Sequence, residues 1–527
     1  MDASRKRYMD EVQDRTKLNK DHFLEFCRNL FGYDLQFKAL ERRVNTVSVR
    51  STFTKLVYTY LMTIAKKRKL NFRKLTTEQL DTLAFLTDAY MSVMYAYNHV
   101  YDHKLEIRSF SKKAISQKMN NANQLANALF NYIQETSLFS LEQERIISMG
   151  FNNALREVDK GQRIDCEYNF INFFNDNRLE QISEQFSGKE LLLVQNIIEE
   201  LKLKYDSVNT AYFETYFSRI YLLNSGLLRE VVNMIIKLTS FSCKDERNNI
   251  MAFAELYGML LQVVNDVNDF VYDRGTSNKA PADTLSDLKN NTVTLPIMLH
   301  MMRSKGRKGL VNKYIKSQIN PVEGQGQNDI QQSHNRSKVR PKNANRNAWQ
   351  KLQSFIASVR QSWAIHFSSS DHAIITNCDP SLENKQDKKP ITNANHPLNG
   401  HHNEAMRELI ESGAMDETRE IAKKIAKIAR ALITTIKGRN NIKSPSALLR
   451  DLTSIVDRNR YFVHLDAAKA AYARGDDYRT EDHPSRTQFL PTPDAQANAE
   501  DKDHLAKKTY TGAYAAAAID RRQYALM

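Results

Sequence analysis

Asn265, Asp266, Asn268, Asp269 and Asp273 crowd the end of one apolar run. In a helix, positions 265, 269 and 273 are spaced i, i+4, i+8 and share a face. Oxygen-bearing side chains on one face repel or compete unless a cation satisfies them. Magnesium takes oxygen ligands in octahedral geometry and bridges one or two carboxylates to substrate phosphates. A solvated acidic helix end has the same appearance. Negative charge at a helix C-terminus, however, opposes the helix dipole, which favours a functional origin over a stabilising one. A second, sparser cluster is Asn98, His99 and Asp102, followed by Arg108. It also closes an apolar run, and Asn98 and Asp102 are i, i+4. A polar helix end accounts for it equally well.

The elements that must carry these clusters are helices. No proline occurs before Pro281 and glycine is sparse, so turn punctuation is scarce. Apolar residues recur at three- and four-residue spacing over 52–66, 189–204 and 248–272. Strict alternation is rare, so no substantial sheet is expected.

The pattern changes near Ser317. Residues 319–403 are rich in Asn, Gln, Ser, Lys and Pro and read as a large polar, disordered insert between core residues 1–318 and 404–462. Residues 463–527 read as a mostly disordered tail with one short helix near its end. Within the insert, 347–367 puts Trp349, Leu352, Phe355, Ile356, Val359 and Trp363 on one helical face. Such a stripe suits peripheral membrane contact or, more commonly, docking on protein.

Composition limits the function classes. The chain has 527 residues, 41% hydrophobic, with net charge +15. That charge favours anionic partners such as diphosphates, nucleic acid or an anionic membrane surface. Without an interleaved aromatic–basic motif, nucleic acid ranks low. No window reaches the roughly 18–20 uncharged apolar residues of a membrane span. Nor has the N-terminus the apolar stretch of a secretory signal. The four cysteines form no close pair, which fits a reducing cytoplasmic setting.

Order and spacing together resemble the trans-isoprenyl diphosphate synthase (polyprenyl synthetase) family. Gly258-Met259-Leu260-Leu261-Gln262-Val263-Val264-Asn265-Asp266-Val267-Asn268-Asp269 resembles its G-x-x-F-Q-x-x-D-D-x-x-D. Asp287-Leu288-Lys289-Asn290-Asn291-Thr292-Val293-Thr294-Leu295-Pro296 resembles D-L-x-x-G-K-x-T-L-P. Gly161-Gln162-Arg163-Ile164-Asp165 is similar to G-Q-x-x-D, and Asn224-Ser225-Gly226-Leu227-Leu228 falls where K-T-G-x-L is expected. Asn98 to Asp102 then falls on the first aspartate-rich motif, Arg108 on a following arginine, and Arg50 on the arginine of G-K-x-x-R-P. Ser412-Gly413-Ala414 and the helices to Arg460 resemble the C-terminal pair. The resemblance covers about 20–318 and 404–462; residues 258–296 carry most of its specificity.

This resemblance implies an all-α fold, the isoprenoid-synthase-type helical bundle. It implies magnesium held by Asn98, Asp102, Asn265, Asp266 and Asp269, with Asp273 as an extra ligand. Asp102, Asp266 and Asp269 would be the catalytic carboxylates. Arg50, Arg108 and Lys289 would contact diphosphates, and Gln162 and Gln262 would be pocket-side polar groups. The substrate implied is an allylic prenyl diphosphate, condensed with isopentenyl diphosphate in isoprenoid biosynthesis. Fixed positive charge facing the departing diphosphate lowers the barrier to ionisation. A homodimer, or a heterodimer with another synthase subunit, is implied as well. Bulky Met94, Tyr95 and Tyr97 before the first motif imply a short product.

The sequence also departs from the pattern. Asn98, His99 and Asn265 stand where the motifs carry aspartate. Val47, Asn224 and Thr292 stand at lysine positions, and Met91 at a histidine position. Lysine and arginine are what hold diphosphates directly. Three functions therefore stay open: a divergent prenyl diphosphate synthase, a non-catalytic regulatory or binding subunit on the same fold, and a terpene-synthase-like lyase. The lyase reading draws on the spacing of Asn265, Asp269 and Asp273.

Overall fold

The computed structural model describes residues 21–23, 25–26, 49–102, 112–173, 179, 182, 188, 191–205, 211–270, 285–303, 309–319, 401–440, 448–449, 452 and 460–476. These residues belong to one of two units, Met1–Ile319 with Pro397–Met527; the other, Asn320–His396, lies outside the described residues. The amphipathic stretch 347–367 and residues 477–527 of the stretch read as tail lie outside them too.

The fold is all-α. Its principal helices are α1 (Val49–Arg68), α2 (Thr77–Asp102), α3 (Lys112–Glu135), α4 (Leu141–Glu167), α5 (Gln195–Lys204), α6 (Ala211–Ile220), α7 (Gly226–Leu238), α8 (Lys244–Asn268), α9 (Leu295–Arg303), α10 (Leu310–Ile319), α11 (His402–Glu411), α12 (Ala414–Asn440) and α13 (Arg460–Ala473). Among the described residues the only β pairing is an isolated bridge between Asn169 and Thr292. The last helix runs past residue 462, into the stretch the sequence assigns to the tail. Its Phe462, Leu465 and Ala468 are buried, so tertiary packing orders a segment whose alanine-rich composition reads as mostly disordered tail.

Helix α8 is the centre of the bundle. It packs against α12, α7, α6, α9 and α13. Every residue from Ala252 to Leu260 is buried, so more than two turns of the helix are covered on all sides. A helix apolar all round has to lie inside. By length and composition Lys244–Val267 could also cross a membrane, but 78% of its apolar window is buried within this bundle. Helix α4 lies across α7 and α2. Its start is set locally: Ser140 and Gln143 form a reciprocal capping box, which satisfies two of the orphan donors of the first turn.

Two local features shape the site. Between α6 and α7 the chain makes a π turn, Tyr221–Ser225. Extra residues of this kind bulge one side of a helix and recur at functional sites. Helix α8 meets that bulge at Gly258, where a Cβ would lie 2.6 Å from Ser225 Cα and 2.8 Å from Asn224 O. The glycine is what lets the two backbones touch.

Candidate functional site

The helix carrying the acidic cluster stops sooner than the 248–272 pattern suggests. It ends at Asn268, with Asp269 as the residue closing it. Asp273, the i+8 position of that face, lies outside the described residues. The three clustered residues that are described also differ in environment. Asn265 is exposed, Asp266 is 0% exposed and Asp269 is 1% exposed.

Asp266 turns inward. Gln262 Nε2 donates to its Oδ1 at 2.9 Å. Tyr216 OH donates to Oδ2 at 2.7 Å, and the Leu295 backbone N–H reaches the same oxygen at 3.1 Å. Leu295 opens α9, so Asp266 caps that helix from another part of the chain. Asp269 does the same one turn later. Its Oδ2 accepts from Asp287 N at 3.0 Å, and its backbone O accepts from Leu285 N at 3.0 Å. Asp287 lies in the single helical turn Ser286–Lys289. Helix N-termini present unpaired N–H groups and positive partial charge, so carboxylates are favourable there. The two aspartates thereby fasten 285–296 to the end of α8.

The same segment shows why Asn291 can stand at a glycine position of the pattern. Its φ is +60°, in the left-handed region. Asparagine tolerates that region better than other side chains. Leu285 also has positive φ, +58°, and is fully buried. A leucine held there costs on the order of 1–2 kcal/mol, which its backbone bond to Asp269 and its burial offset.

Behind Asp266 lies a buried polar network. Arg219, 2% exposed, donates from Nη1 to Asp165 Oδ1 at 2.5 Å. Its guanidinium sits 5.0 Å from the Tyr168 ring centroid and 5.5 Å from that of Tyr216. Burial works against the Arg219 charge, but Asp165 and Asp266 outweigh it and raise its pKa. Burial pushes the Asp266 carboxyl up; Arg219 and the three donated hydrogen bonds pull it back only in part. The Tyr216 phenol is held well above its ordinary value by burial and by Asp266. On the other side, Asn224 Nδ2 donates to Gln262 Oε1 at 2.7 Å. The amide at the lysine position is thus engaged by the glutamine of the motif.

The remaining site candidates fall as follows. Gln162 is buried on α4, and its Oε1 has no hydrogen-bond partner among the described residues. Lys289 is buried, 6% exposed, in the Ser286–Lys289 turn. Arg50 lies at the start of α1, partly exposed. Asn98 and Asp102 lie at the end of α2, but their side chains are outside the described residues, as is all of Arg108. Tyr97 donates to Asn123 Oδ1 of α3 at 2.6 Å, so its bulk serves the α2–α3 contact. The structure brings together Gln262, Asp266, Asp269 and the 285–296 segment. It adds Tyr216, Arg219, Asp165, Tyr168 and Asn224. Asp165 and Asn224 sit inside recognised motifs; Arg219 shows only as a lone cation in the aromatic run AYFETYFSRIY.

The described donors do not by themselves make a magnesium site. Both Asp266 oxygens are taken by protein donors, Asn265 is uncharged, and no group of three acidic, histidine or cysteine side chains among the described residues is placed to hold a metal.

The polyprenyl synthetase family profile matches residues 110–327. No curated protein matches the sequence. Solved structures similar to the chain include geranylgeranyl pyrophosphate synthase from Lactobacillus brevis complexed with citrate, at 9% identity over 87% of this chain and 100% of that chain, TM-score 0.48. Another is polyprenyl synthase from Caulobacter crescentus complexed with calcium and isoprenyl diphosphate, at 12% identity over 85% and 97%, TM-score 0.47. A third is geranylgeranyl pyrophosphate synthetase from Pyrococcus horikoshii, at 12% identity over 86% and 99%, TM-score 0.45.

Proposed function

We propose, from the premise that residues 110–327 are polyprenyl synthetase in kind, that this chain is a divergent prenyl diphosphate synthase. It binds an allylic prenyl diphosphate beside the C-terminal end of α8 and condenses it with isopentenyl diphosphate. One observation carries the reading. Asp266 and Asp269 hold 285–296 against the end of α8, so the two most specific parts of the motif form one unit with Asn265 exposed beside them.

In such a condensation the bond from the allylic carbon to the diphosphate breaks, and its electron pair leaves with the diphosphate. The acceptor double bond forms the new carbon–carbon bond and a proton is then lost. The cationic stage needs exclusion of water and positive charge at the leaving group. Arg50 and Arg108 are the candidates for that charge. Magnesium, as the family implies, would draw on Asn98, Asp102, Asn265 and Asp273, but the described donors do not establish a complete set.

A second reading has its own support. Asn265 is neutral, Asn224 is tied to Gln262, and Asp266 is fully engaged. That is what a non-catalytic subunit built on the fold would retain. Diphosphate release by the purified chain, with magnesium and farnesyl diphosphate, separates the two. Release that depends on isopentenyl diphosphate and yields a longer prenyl chain supports the synthase. No turnover from a well-folded sample, with a stable complex to another synthase subunit, supports the second. Release without the acceptor would point to a lyase.

A further inference from the structure

Carboxylates of an aspartate-rich motif are expected to face a metal. Here the two that match the pattern in type, Asp266 and Asp269, face inward. A cation reaching Asp266 would have to enter a position with no solvent exposure, where both oxygens already accept from Tyr216, Gln262 and the Leu295 N–H. Asp269 is nearly as buried and closes the Ser286–Lys289 turn. The exposed member of the motif is Asn265.

We propose that Asp266 and Asp269 are positioning residues that cap the helices of the 285–303 segment, and that the ligand-facing group of the motif in this chain is the uncharged Asn265. The Tyr216–Arg219–Asp165 network belongs to the same device. Arg219 supplies buried positive charge between Asp165 and Asp266, and Tyr216 carries the hydrogen bond to the latter. The left-handed Leu285 and Asn291 mark where the chain is forced to turn so that both N–H groups reach their aspartates. Divalent-cation affinity at this end of α8 is therefore limited by residue 265.

This refines the synthase reading. Its test uses no turnover, so an inactive protein still decides it. Manganese binding is measured on the full chain by paramagnetic resonance, alongside thermal melting and hydrogen exchange over 285–303. The variants are Asn265→Asp, Asp266→Asn and Tyr216→Phe. A new unit charge at an exposed position next to a divalent cation should tighten manganese binding about tenfold or more in Asn265→Asp. Asp266→Asn should leave manganese affinity within about twofold of the parent, as expected for a group that does not share the ligand's contacts. Its melting temperature should fall by about 3–8 °C, with faster exchange at Leu295. If Asp266→Asn fails to fold, Tyr216→Phe, which removes one hydroxyl, should give the same pattern in weaker form. The proposal is overturned if Asn265→Asp gains nothing. It is also overturned if Asp266→Asn or Tyr216→Phe loses the parent's manganese binding while melting and exchange stay unchanged.

Discussion

Gly258 of α8 lies directly against Ser225 in the π turn, so close that any Cβ at 258 would stand 2.6 Å from Ser225 Cα. The obstruction is backbone, not a flexible side-chain tip. This contact sets the register that lets Asn224 reach Gln262 and, through Gln262, Asp266. Ser225 adds to it by donating from Oγ to Glu255 O at 2.6 Å.

Gly258→Ala should therefore force α8 away from the π turn, at a cost of about 1–3 kcal/mol from overpacking. Chemical denaturation of the two proteins gives the value. An unchanged midpoint would mean that the helices part without penalty and that the contact does not set the register.

Arg219 and Asp165 form a buried pair inside the bundle. Removing one partner leaves an uncompensated charge, so Arg219→Met or Asp165→Asn alone should destabilise by about 3–5 kcal/mol. The double variant should lose clearly less than the sum. Asp266 limits that recovery, because it also leans on the Arg219 charge. A double-mutant cycle in urea measures the coupling, and strict additivity would contradict it.

Much of this arrangement was legible in the sequence. Absence of proline before Pro281 and three–four spacing identified the helical bundle, and the 258–296 stretch marked the segments that meet at the end of α8. What was not legible is which way the carboxylates face. Periodicity places Asn265 and Asp269 on one side of an ideal helix, yet α8 ends at Asn268 and Asp269 serves a later segment. Arg219 lay hidden because nothing local distinguishes a buried cation from a solvated one; Asp165 is 54 residues away from it in the chain, and Asp266 is 50 residues from the neighbouring Tyr216. The Arg460–Ala473 helix was missed because alanine-rich, charged composition reads as tail until Phe462 and Leu465 are seen to be buried.

Asn291 offers a local test of backbone chemistry. At φ +60° a β-branched residue is penalised by about 1–2 kcal/mol relative to one that tolerates the region. Asn291→Val should lower the melting temperature, and Asn291→Gly should lower it less. Equal losses would show that the asparagine side chain, not its conformation, is what the position needs.

Acid stability should depend on Glu417. Burial raises its pKa, but hydrogen bonds from Lys204 and Tyr205 and the Arg303 charge outweigh this and hold it below the usual glutamate range. A depressed folded pKa contributes stability that is present above the unfolded value, about 4.3, and is lost as pH falls through the folded value. Denaturant midpoints should therefore drop below about pH 4.3 more steeply in the parent than in Glu417→Gln. Glu408, held low by His300 and the Val311 N–H against its own burial, acts in the same direction. The slope difference between parent and variant is the measurement, and parallel curves would remove Glu417 from the account.

The lysine position occupied by Asn224 gives the most direct functional prediction. An amide there contributes no charge, and its Nδ2 is already used by Gln262. Asn224→Lys restores a point charge suited to diphosphate oxygens. A charge-assisted hydrogen bond is worth about 1.5–3 kcal/mol, so inorganic pyrophosphate should bind at least about tenfold more tightly, with stronger salt dependence. Calorimetric titration in low and high salt reads both effects. The substitution also releases Gln262 from Asn224, and a modest fall in melting temperature should accompany the gain. Tighter pyrophosphate binding would place residue 224 at the ligand end of the site. Unchanged binding in a folded variant would mean that the Asn224–Gln262 contact is wholly internal, and that diphosphate recognition in this chain rests on Arg50 and Arg108.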